Sequence, residues 1–261
     1  FSWHGVRLRP IRWRLSGANN KSTSTVIPIH PPTPANAPQR SIVEAIRENA
    51  VTKADQPAVV CDAESVTWRD FDLSISRVAN VLIGLGARKG DPVAILSPNS
   101  IAYATIFMGI LRAGACVTPL SSMAAPDALK KMLIDSGAKA IFVAQPYLEL
   151  VESFIHDLPL HRFAINFQHP AFTNYTHALD AAETNDPLVP IALSDPFNLI
   201  YSSGTTGTPK GILHTHWMRA AQMDRVGPNG YDDNARTLLS TPLYSNTTIV
   251  SFLPTLFGGS T

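Results

Sequence analysis

Segments typical of strands and of helices alternate along residues 92–166, and glycine or proline marks most of the boundaries. Pro92 to Leu96 is an apolar run of strand length, and the helical pattern after it begins at a cap, Ser100, and ends near Arg112. The same order then repeats, with strands at 115–119, 139–144 and 162–166 and helices at 126–136 and 147–156. Strands separated by helices of this length form βαβ units with parallel strands. The pattern therefore predicts an α/β fold whose largely parallel sheet is covered by helices on both faces.

Two helices and two short strands precede this series. Ser41, with Glu44 three residues later, has the spacing of a capping box, which predicts a helix to about Asn49. Short strands are expected at 58–61 and 66–68. A longer helix follows, because apolar residues recur at intervals of four, three, four and three: Phe71, Ile75, Val78, Leu82 and Leu85. Gly84 and Gly86 are expected to end this helix.

Composition excludes several functional classes. The formal net charge of +1, from 21 Lys+Arg and 20 Asp+Glu, does not fit a strongly basic nucleic-acid-binding protein. Apolar residues make up 45% of the chain, which excludes disorder of the whole chain. The longest apolar run, residues 101–111, is shorter than the roughly 20 residues of a transmembrane helix. Cys61 and Cys116 have neither disulfide-scaffold nor metal-ligand spacing, and we expect both to be buried free thiols in a reducing compartment.

The positive charge is concentrated at the start of the chain. Residues 1–43 contain no acidic residue and six basic ones: Arg7, Arg9, Arg12, Arg14, Lys21 and Arg40. Because this segment is also rich in Ser, Thr, Asn and Pro, residues 1–40 are predicted to form a disordered, basic, proline-rich tail. An organelle transit peptide has such a composition, and so does a solvated extension or sequence upstream of the native start. We expect a cytoplasmic location, with a mitochondrial one as the alternative.

A loop rich in glycine and hydroxyl groups stands between two predicted strands, 197–201 and 212–216. It comprises residues 201–211, Y-S-S-G-T-T-G-T-P-K-G. Glycines let a backbone approach a ligand closely, successive backbone N–H groups form a cradle for an anion, and Lys210 supplies a positive charge. The loop is not a Walker A motif, because that motif requires G-x-x-x-x-G-K-[ST] followed by a helix. It predicts binding of a polyphosphate, most plausibly that of a nucleotide; the alternative is a polar hairpin loop without a ligand.

The run from Ser202 to Gly211 resembles the AMP-binding signature of the adenylate-forming enzymes, which include acyl- and aryl-CoA synthetases, adenylation domains of peptide synthetases and luciferases. Four further segments resemble the family in the same order: 66–71, 90–95, 109–115 and 241–244. The resemblance covers roughly residues 43–261 and corresponds to about the first half of such an enzyme. It implies the N-terminal, large domain of the family, with a first α/β subdomain over 41–190 and the start of a second over 191–261. Since position 1 is not Met and no closing element follows the last apolar stretch, we interpret the chain as an N-terminal fragment.

The resemblance also implies a reaction. A fatty or aryl carboxylic acid would attack ATP to give an acyl-adenylate and pyrophosphate, and the thiol of coenzyme A would then displace AMP, with Mg²⁺ as the metal cofactor. The partners implied are therefore a small-molecule acid, ATP and coenzyme A, without nucleic acid and without a transmembrane segment. The alternatives are a truncated, non-catalytic nucleotide-binding fragment and an adenylation domain that loads a carrier protein.

Site residues follow from the same resemblance. The loop would wrap the β- and γ-phosphates, with the hydroxyls of Thr205 and Thr206 and the amides of Gly204 and Gly207 as donors. Lys210 would contact phosphate or steady the loop, and Lys210 and Thr205 are the catalytic candidates. The full set of nucleotide-binding candidates is Ser202, Ser203, Gly204, Thr205, Thr206, Gly207, Thr208 and Lys210. No residue is assigned to a metal.

The sequence departs from the family in two respects. Many members have a His after a Pro-Leu-aromatic triplet, whereas here Pro242-Leu243-Tyr244 is followed by Ser245. The family's Tyr-Gly-x-Thr-Glu segment, its ribose-binding Asp and its C-terminal Lys are not found in these 261 residues, so we expect the chain alone to be a poor catalyst or none.

Two smaller features remain open. His214 and His216 alternate on a predicted strand and would face the same side, which indicates packed histidines rather than a metal site, since a third ligand is not evident. The apolar stretch 249–257 could line an acyl pocket or form an ordinary buried helix.

Overall fold

The computed structural model describes residues 40–202, 209–226, 230–232 and 234–261. Of the predicted tail over residues 1–40, only Arg40 falls within this range, so the prediction of disorder lies outside the described residues.

The described chain alternates strands and helices. The strands are β1 (Pro57–Cys61), β2 (Glu64–Thr67), β3 (Pro92–Leu96), β4 (Cys116–Pro119), β5 (Ala140–Val143), β6 (His161–Ala164), β7 (Thr173–Asn174), β8 (Pro196–Ser202) and β9 (Lys210–Thr215). The helices are α1 (Ile42–Thr52), α2 (Trp68–Gly84), α3 (Ile101–Arg112), α4 (Pro126–Ser136), α5 (Glu149–Ile155), α6 (Tyr175–Asp180), α7 (His216–Val226) and α8 (Asn246–Gly258).

A seven-stranded sheet forms the centre of the fold, in the order β7-β6-β5-β3-β4-β8-β9. All neighbouring pairs are parallel except β8 and β9, which are antiparallel, and β1 and β2 form a separate antiparallel pair. The predicted α/β fold with a largely parallel sheet is confirmed. Because β8 pairs with β4, the segment after residue 191 joins the same sheet, and the division into two subdomains stays a prediction.

Helices cover the sheet on both faces, as β5 shows. Its residues Ala140 and Phe142 belong to the core that contains α1, α2, α3 and α8, whereas Ile141 and Val143 belong to the core under α4 and α5. Successive side chains of a strand point to opposite faces, so a strand buried on both faces is apolar throughout. No helix in the described part of the chain is both long and apolar enough to cross a membrane.

Local signals explain the boundaries that were predicted well. The side chain of Ser100 accepts a hydrogen bond from the amide of Tyr103 and caps α3, and the two reciprocal bonds between Ser41 and Glu44 form the capping box of α1. Gly137 ends α4 with a left-handed φ of 66°, a conformation that glycine adopts without steric cost.

Other predicted boundaries were wrong. Trp68 and His216 are not strand residues but begin α2 and α7, because Thr67 and Thr215 accept hydrogen bonds from amides three residues later and so act as helix caps. The predicted end of α2 at Gly84 is confirmed, but Leu85, which was expected on the buried face of this helix, follows its last residue and is 41% exposed.

Three further differences concern short segments. The connection predicted over 168–194 contains β7 and α6, and the helix predicted from residue 147 begins at Glu149, after a single 3₁₀ turn. Cys116 is a buried free thiol, and burial raises its pKa, but Cys61 is partly exposed, because it ends the β1–β2 hairpin outside the main sheet.

A buried ion network holds the helical layer together. Arg112 of α3, whose side chain is fully buried, lies 2.5 Å from the carboxylate of Asp72 in α2 and donates to the Ser76 hydroxyl at 2.8 Å. Its Nε lies 3.6 Å from Asp186, which also accepts two hydrogen bonds, of 2.6 and 2.9 Å, from Arg47 of α1. Burial alone would raise the pKa of Asp186, but the Arg47 hydrogen bond and the two positive charges lower it below its ordinary value.

Candidate functional site

The β8–β9 hairpin carries the glycine-rich loop at one edge of the sheet. Ser202 pairs with Lys210 and Tyr201 with Gly211, so the two strands bracket residues 203–209. Since β8 is parallel to β4, its last residue lies at the edge where the carboxyl ends of β3 to β6 also meet. Open α/β sheets bind their ligands at that edge.

Of the predicted phosphate-binding residues, the structure describes Ser202 and Lys210. The others, Ser203, Gly204, Thr205, Thr206, Gly207 and Thr208, lie outside the described residues. The Ser202 hydroxyl donates to the Lys210 carbonyl oxygen at 3.5 Å, and both residues are exposed. Among the described residues, no carboxylate lies within 4.0 Å of the Lys210 ammonium group. The lysine charge is therefore available to an anion at this edge.

Tyr201 fastens the hairpin to α4. Its hydroxyl lies 2.7 Å from a carboxylate oxygen of Asp135 and 3.1 Å from the carbonyl oxygen of Met132. Burial and the neighbouring Asp135 charge raise the pKa of Tyr201, which therefore stays protonated and acts as a donor. Sequence reasoning did not find Asp135, because 66 residues separate it from its partner.

Gly211 provides the space that this arrangement needs. A Cβ atom at Gly211 would lie 2.9 Å from Cδ1 of Leu199 and 3.3 Å from Cε1 of Tyr201. Both neighbours are side chains of β8, so any larger residue at 211 would displace the Tyr201 ring from its place across β9. Packing against Leu199 and Tyr201 thus explains why residue 211 is a glycine, in addition to the freedom that glycine gives the loop backbone.

A buried guanidinium lies behind the hairpin. Arg219 of α7 donates to three side-chain amide oxygens: to Asn198 of β8 at 3.0 Å, to Gln222 at 3.1 Å and to Asn246 of α8 at 2.9 Å. It is 2% exposed, and within the described ranges no carboxylate pairs with it. Burial lowers its pKa to about 10, which leaves it charged at neutral pH. Sequence reasoning also missed Arg219, because α7 carries two further charged residues, Asp224 and Arg225, and nothing in its sequence marks Arg219 as the buried one.

The two histidines lie next to this cluster but on different elements. His214 is on β9, opposite Asn198, whereas His216 begins α7 and packs edge-on against Phe197. The pKa of both histidines is lowered to about 4. Burial is the main cause, and for His214 the Arg219 charge contributes as well, so both rings are neutral near pH 7. In the described part of the chain, no group of three His, Cys, Asp or Glu side chains could hold a metal ion.

Asn99, just after β3, holds the Pro-Leu-aromatic segment. Its side chain donates to the carbonyl oxygen of Thr241 at 2.9 Å and accepts from the amide of Leu243 at 2.8 Å. The polar contact after the triplet comes from Asn246, which binds Arg219, rather than from Ser245. Helix α8, which contains the apolar stretch 249–257, packs into the main core.

Comparison with known proteins assigns the family. A model of the family described as "AMP-binding enzyme" matches residues 46–261. The chain belongs to the AMP-binding enzyme family. The site on the β8–β9 hairpin therefore lies within the matched segment, and the resemblance inferred from residues 202–211 is confirmed at the level of the family.

Relatives of this AMP-binding chain are CoA ligases. It is 30% identical over 151 residues to the long-chain-fatty-acid–CoA ligase FadD13 of Mycobacterium tuberculosis, covering 58% of this chain and 30% of the relative. It is 33% identical over 194 residues to the 4-coumarate–CoA ligase of Pinus taeda, covering 70% and 35%. The solved structure of the anthranilate CoA ligase AuaEII with anthranoyl-AMP superposes with a TM-score of 0.78 at 24% identity, over 85% of this chain and 44% of that chain, and shows the shared fold. The aligned part of this chain spans between 30% and 45% of the length of such curated relatives.

Proposed function

We propose that the protein containing this chain activates a carboxylic acid with ATP and transfers the resulting acyl group to coenzyme A. The observation that carries the proposal is the β8–β9 hairpin, which places Ser202 and Lys210 on either side of the glycine-rich loop at the carboxyl edge of the sheet. The family assignment supports the adenylation chemistry, and the named relatives support coenzyme A as the acceptor.

The proposed chemistry has two steps. A carboxylate oxygen attacks the α-phosphorus of ATP, a new P–O bond forms, and the bond to the bridging oxygen breaks to release pyrophosphate. The thiolate of coenzyme A then attacks the acyl carbonyl, and AMP leaves with the bonding electron pair. Both steps move negative charge near phosphate, so fixed positive charges and N–H donors at that position lower the barrier.

The residues of this chain have defined roles in the proposal. The hydroxyls of Ser202, Thr205 and Thr206 and the amides of Gly204 and Gly207 donate to the β- and γ-phosphate oxygens, with Ser203 and Thr208 completing the loop. Lys210 supplies the charge, and Thr205 with Lys210 acts on the reacting phosphates. Tyr201, held by Asp135, fixes one end of the loop and is a positioning residue. We propose that Mg²⁺ accompanies ATP, and no residue of this chain is assigned to it, since the described residues contain no group of three or more His, Cys, Asp or Glu side chains that could hold a metal ion.

The identity of the acid stays at the level of a class. The relatives act on acids named as long-chain fatty, hydroxybenzoic and coumaric, and we propose a fatty or aryl acid for this protein. Ser245 and Asn246, at the start of α8, stand where many members carry a histidine after the triplet.

Carboxylate-dependent exchange of labelled pyrophosphate into ATP tests the proposal, measured on the complete reading frame that contains this chain. Lys210→Ala should lower the exchange rate about tenfold or more, because loss of a charge-assisted contact costs roughly 1.5–3 kcal/mol. Lys139→Ala, at an exposed lysine just before β5 and so at the opposite edge of the sheet from the loop, is the matched control and should leave the rate unchanged. Exchange at the wild-type rate in the Lys210 variant would remove this residue from the proposed mechanism.

A further inference from the structure

Two adjoining clefts lie at the amino edge of the sheet, opposite the edge that carries the glycine-rich loop. The first, here called the amino-edge cleft, has a volume of about 640 Å³ and lies between the turn after α2 and the turn after α5, at the starts of β3, β5 and β6. The second, the α2–α6 groove, has a volume of about 410 Å³ and lies over β6 between these two helices. Leu85 and His161 line both, so the two clefts adjoin.

The amino-edge cleft is basic. Its walls carry the side chains of Arg88, Lys139 and Arg162 against one carboxylate, that of Asp91. Asp91 is engaged in its own turn, where it accepts a hydrogen bond of 2.8 Å from the amide of Arg88. Across the described ranges, no carboxylate lies within 4.0 Å of the Arg88 or Lys139 charge. Two exposed cations thus face the cleft without a counter-ion, and His156 and His161 add further donors.

Arg162 gives the cleft a fixed wall. Its guanidinium donates to the carbonyl oxygens of Ile155 and Ala171, each at 3.1 Å, which holds the end of α5 and the segment before β7 against β6. Arg162 lies on β6, whereas Arg88 and Lys139 lie in the turns just before β3 and β5, so one wall of the cleft is anchored on the sheet, which favours a preformed site.

The α2–α6 groove is apolar. Val81, Gly84 and Leu85 of the α2 segment face Ala178 and Ala182 across it, and the ring of Phe163 forms part of its floor. Leu85 is 41% exposed although its sequence position matches the buried face of α2. The acid at this groove is Glu183, whose carbonyl oxygen accepts a hydrogen bond from Asn80. The apolar α2–α6 groove thus adjoins a cleft with excess positive charge.

We propose that the two clefts together bind one amphipathic polyanion, with a long acyl chain in the α2–α6 groove and a phosphorylated head group in the amino-edge cleft. Charge complementarity selects the head group, because two unpaired cations around a cleft of this size suit several phosphate charges better than one carboxylate. Long-chain acyl-CoA has this chemistry, and the choice of this ligand rests on the proposed function, which would produce it. The site would be a second one for the product, at the opposite edge of the sheet from the loop.

Equilibrium binding of palmitoyl-CoA to the 261-residue chain, below the micellar concentration, tests the proposal. The double variant Arg88→Glu with Lys139→Glu reverses the two charges at exposed positions, and Arg69→Glu with Lys131→Glu is a control with the same change in net charge. Gly84→Phe fills the groove, since a Cβ atom at Gly84 meets no heavy atom within 4 Å, and Ile83→Phe is its control one residue away outside both clefts.

The charge-reversal variant should bind palmitoyl-CoA at least tenfold more weakly than the wild type, and Gly84→Phe should reduce the affinity to that of coenzyme A alone. Both controls should stay within twofold of the wild type, and added salt should weaken binding. Wild-type affinity in either cleft variant would overturn the proposal, as would palmitate binding as tightly as palmitoyl-CoA. Binding to anionic vesicles that palmitoyl-CoA does not displace would also overturn it.

The same variants separate this proposal from the proposed function. If pyrophosphate exchange is absent in the complete protein while the cleft variants still abolish palmitoyl-CoA binding, the proposed function fails and the cleft remains. If pyrophosphate exchange is present in the complete protein while the cleft variants bind palmitoyl-CoA like the wild type, the cleft proposal fails and the proposed function remains.

Discussion

Arg112 and Arg219 are both almost fully buried, yet their surroundings differ. Arg112 lies between α2 and α3 beside two carboxylates, those of Asp72 and Asp186. Arg219 lies behind the β8–β9 hairpin and is held by three neutral amide oxygens. The charges of the helical layer thus nearly balance one another. The hairpin side, by contrast, has a buried positive charge, Arg219, and an exposed one, Lys210. A positive potential on the side that carries the loop is what binding of a triphosphate requires.

The largest effect should come from breaking the balanced network. Arg112→Met leaves the Asp72 carboxylate without its buried partner, and we expect the free energy of unfolding to fall by about 3–5 kcal/mol. Arg69→Met, which removes the exposed pair between Arg69 of α2 and Asp55, is the control and should cost less than about 1 kcal/mol. Urea unfolding measures the free energy of unfolding of both variants. Equal losses would show that the buried network stabilises the fold no more than an exposed ion pair does.

The two regions should also respond to acid in different pH ranges. His216 on the hairpin side has a pKa of about 4 in the folded chain and an ordinary one near 6.5 when unfolded. The unfolded chain therefore binds more protons between these values, and stability should fall as the pH is lowered from 6.5 to 4, by on the order of 3 kcal/mol.

The carboxylate of Asp186 in the helical layer has a lowered pKa, so its contribution is present above its ordinary value of 3.8 and is lost only at lower pH. Unfolding free energies of the wild type and of His216→Phe, measured from pH 7 to pH 4, test whether His216 causes the loss of stability in this range. The variant should have a flatter profile in this range, and an unchanged profile would contradict it.

Tyr201→Phe should have a smaller effect on stability, a loss of about 1 kcal/mol. The variant loses the hydrogen bond that the Tyr201 hydroxyl donates to the exposed carboxylate of Asp135. If Tyr201 positions the loop, pyrophosphate exchange should fall by more than this loss of stability explains, mainly through a higher KM for ATP. Asp135→Asn keeps an acceptor for the Tyr201 hydroxyl and should leave the KM for ATP at its wild-type value. A raised KM in that control would argue against positioning through this contact.

The smallest effect is expected at the uncompensated arginine. Arg219→Met leaves three amide oxygens without a donor but removes an unpaired buried charge, and we expect the two to offset each other to within about 1 kcal/mol. Thermal unfolding of this variant beside Arg112→Met tests the contrast between the two regions. A loss as large as that of Arg112→Met would mean that Arg219 is neutralised by a partner in the folded protein.

Local signals made much of the fold predictable. Ser100, Pro126 and Gly137 mark their helix ends through capping, a fixed φ and a left-handed turn, all of which act within a few residues. β7 and α6 were missed because a two-residue strand inside a polar segment has no detectable period. Leu85 was placed on the buried face because its spacing from Leu82 fits the helical period, although Gly84 already ends the helix.

The candidate site was predictable in part for the same reason. Its loop is a local motif, so Ser202 and Lys210 could be identified from their neighbours in sequence. The support around the loop is not local: Asp135 contacts Tyr201, and Asn99 holds Thr241, across 66 and 142 residues. Such pairs arise from the packing of the sheet and leave no pattern in one sequence.

A titration of the chain with Mg·ATP, followed by backbone amide NMR, tests the central claim most directly. The amides of Ser202, Lys210 and Gly211 should shift with Mg·ATP and stay in place with adenosine, and Lys210→Ala should weaken the response, while amides around Arg112 remain unchanged. Equal shifts with adenosine, or no shift of the hairpin amides at saturating Mg·ATP, would contradict the account.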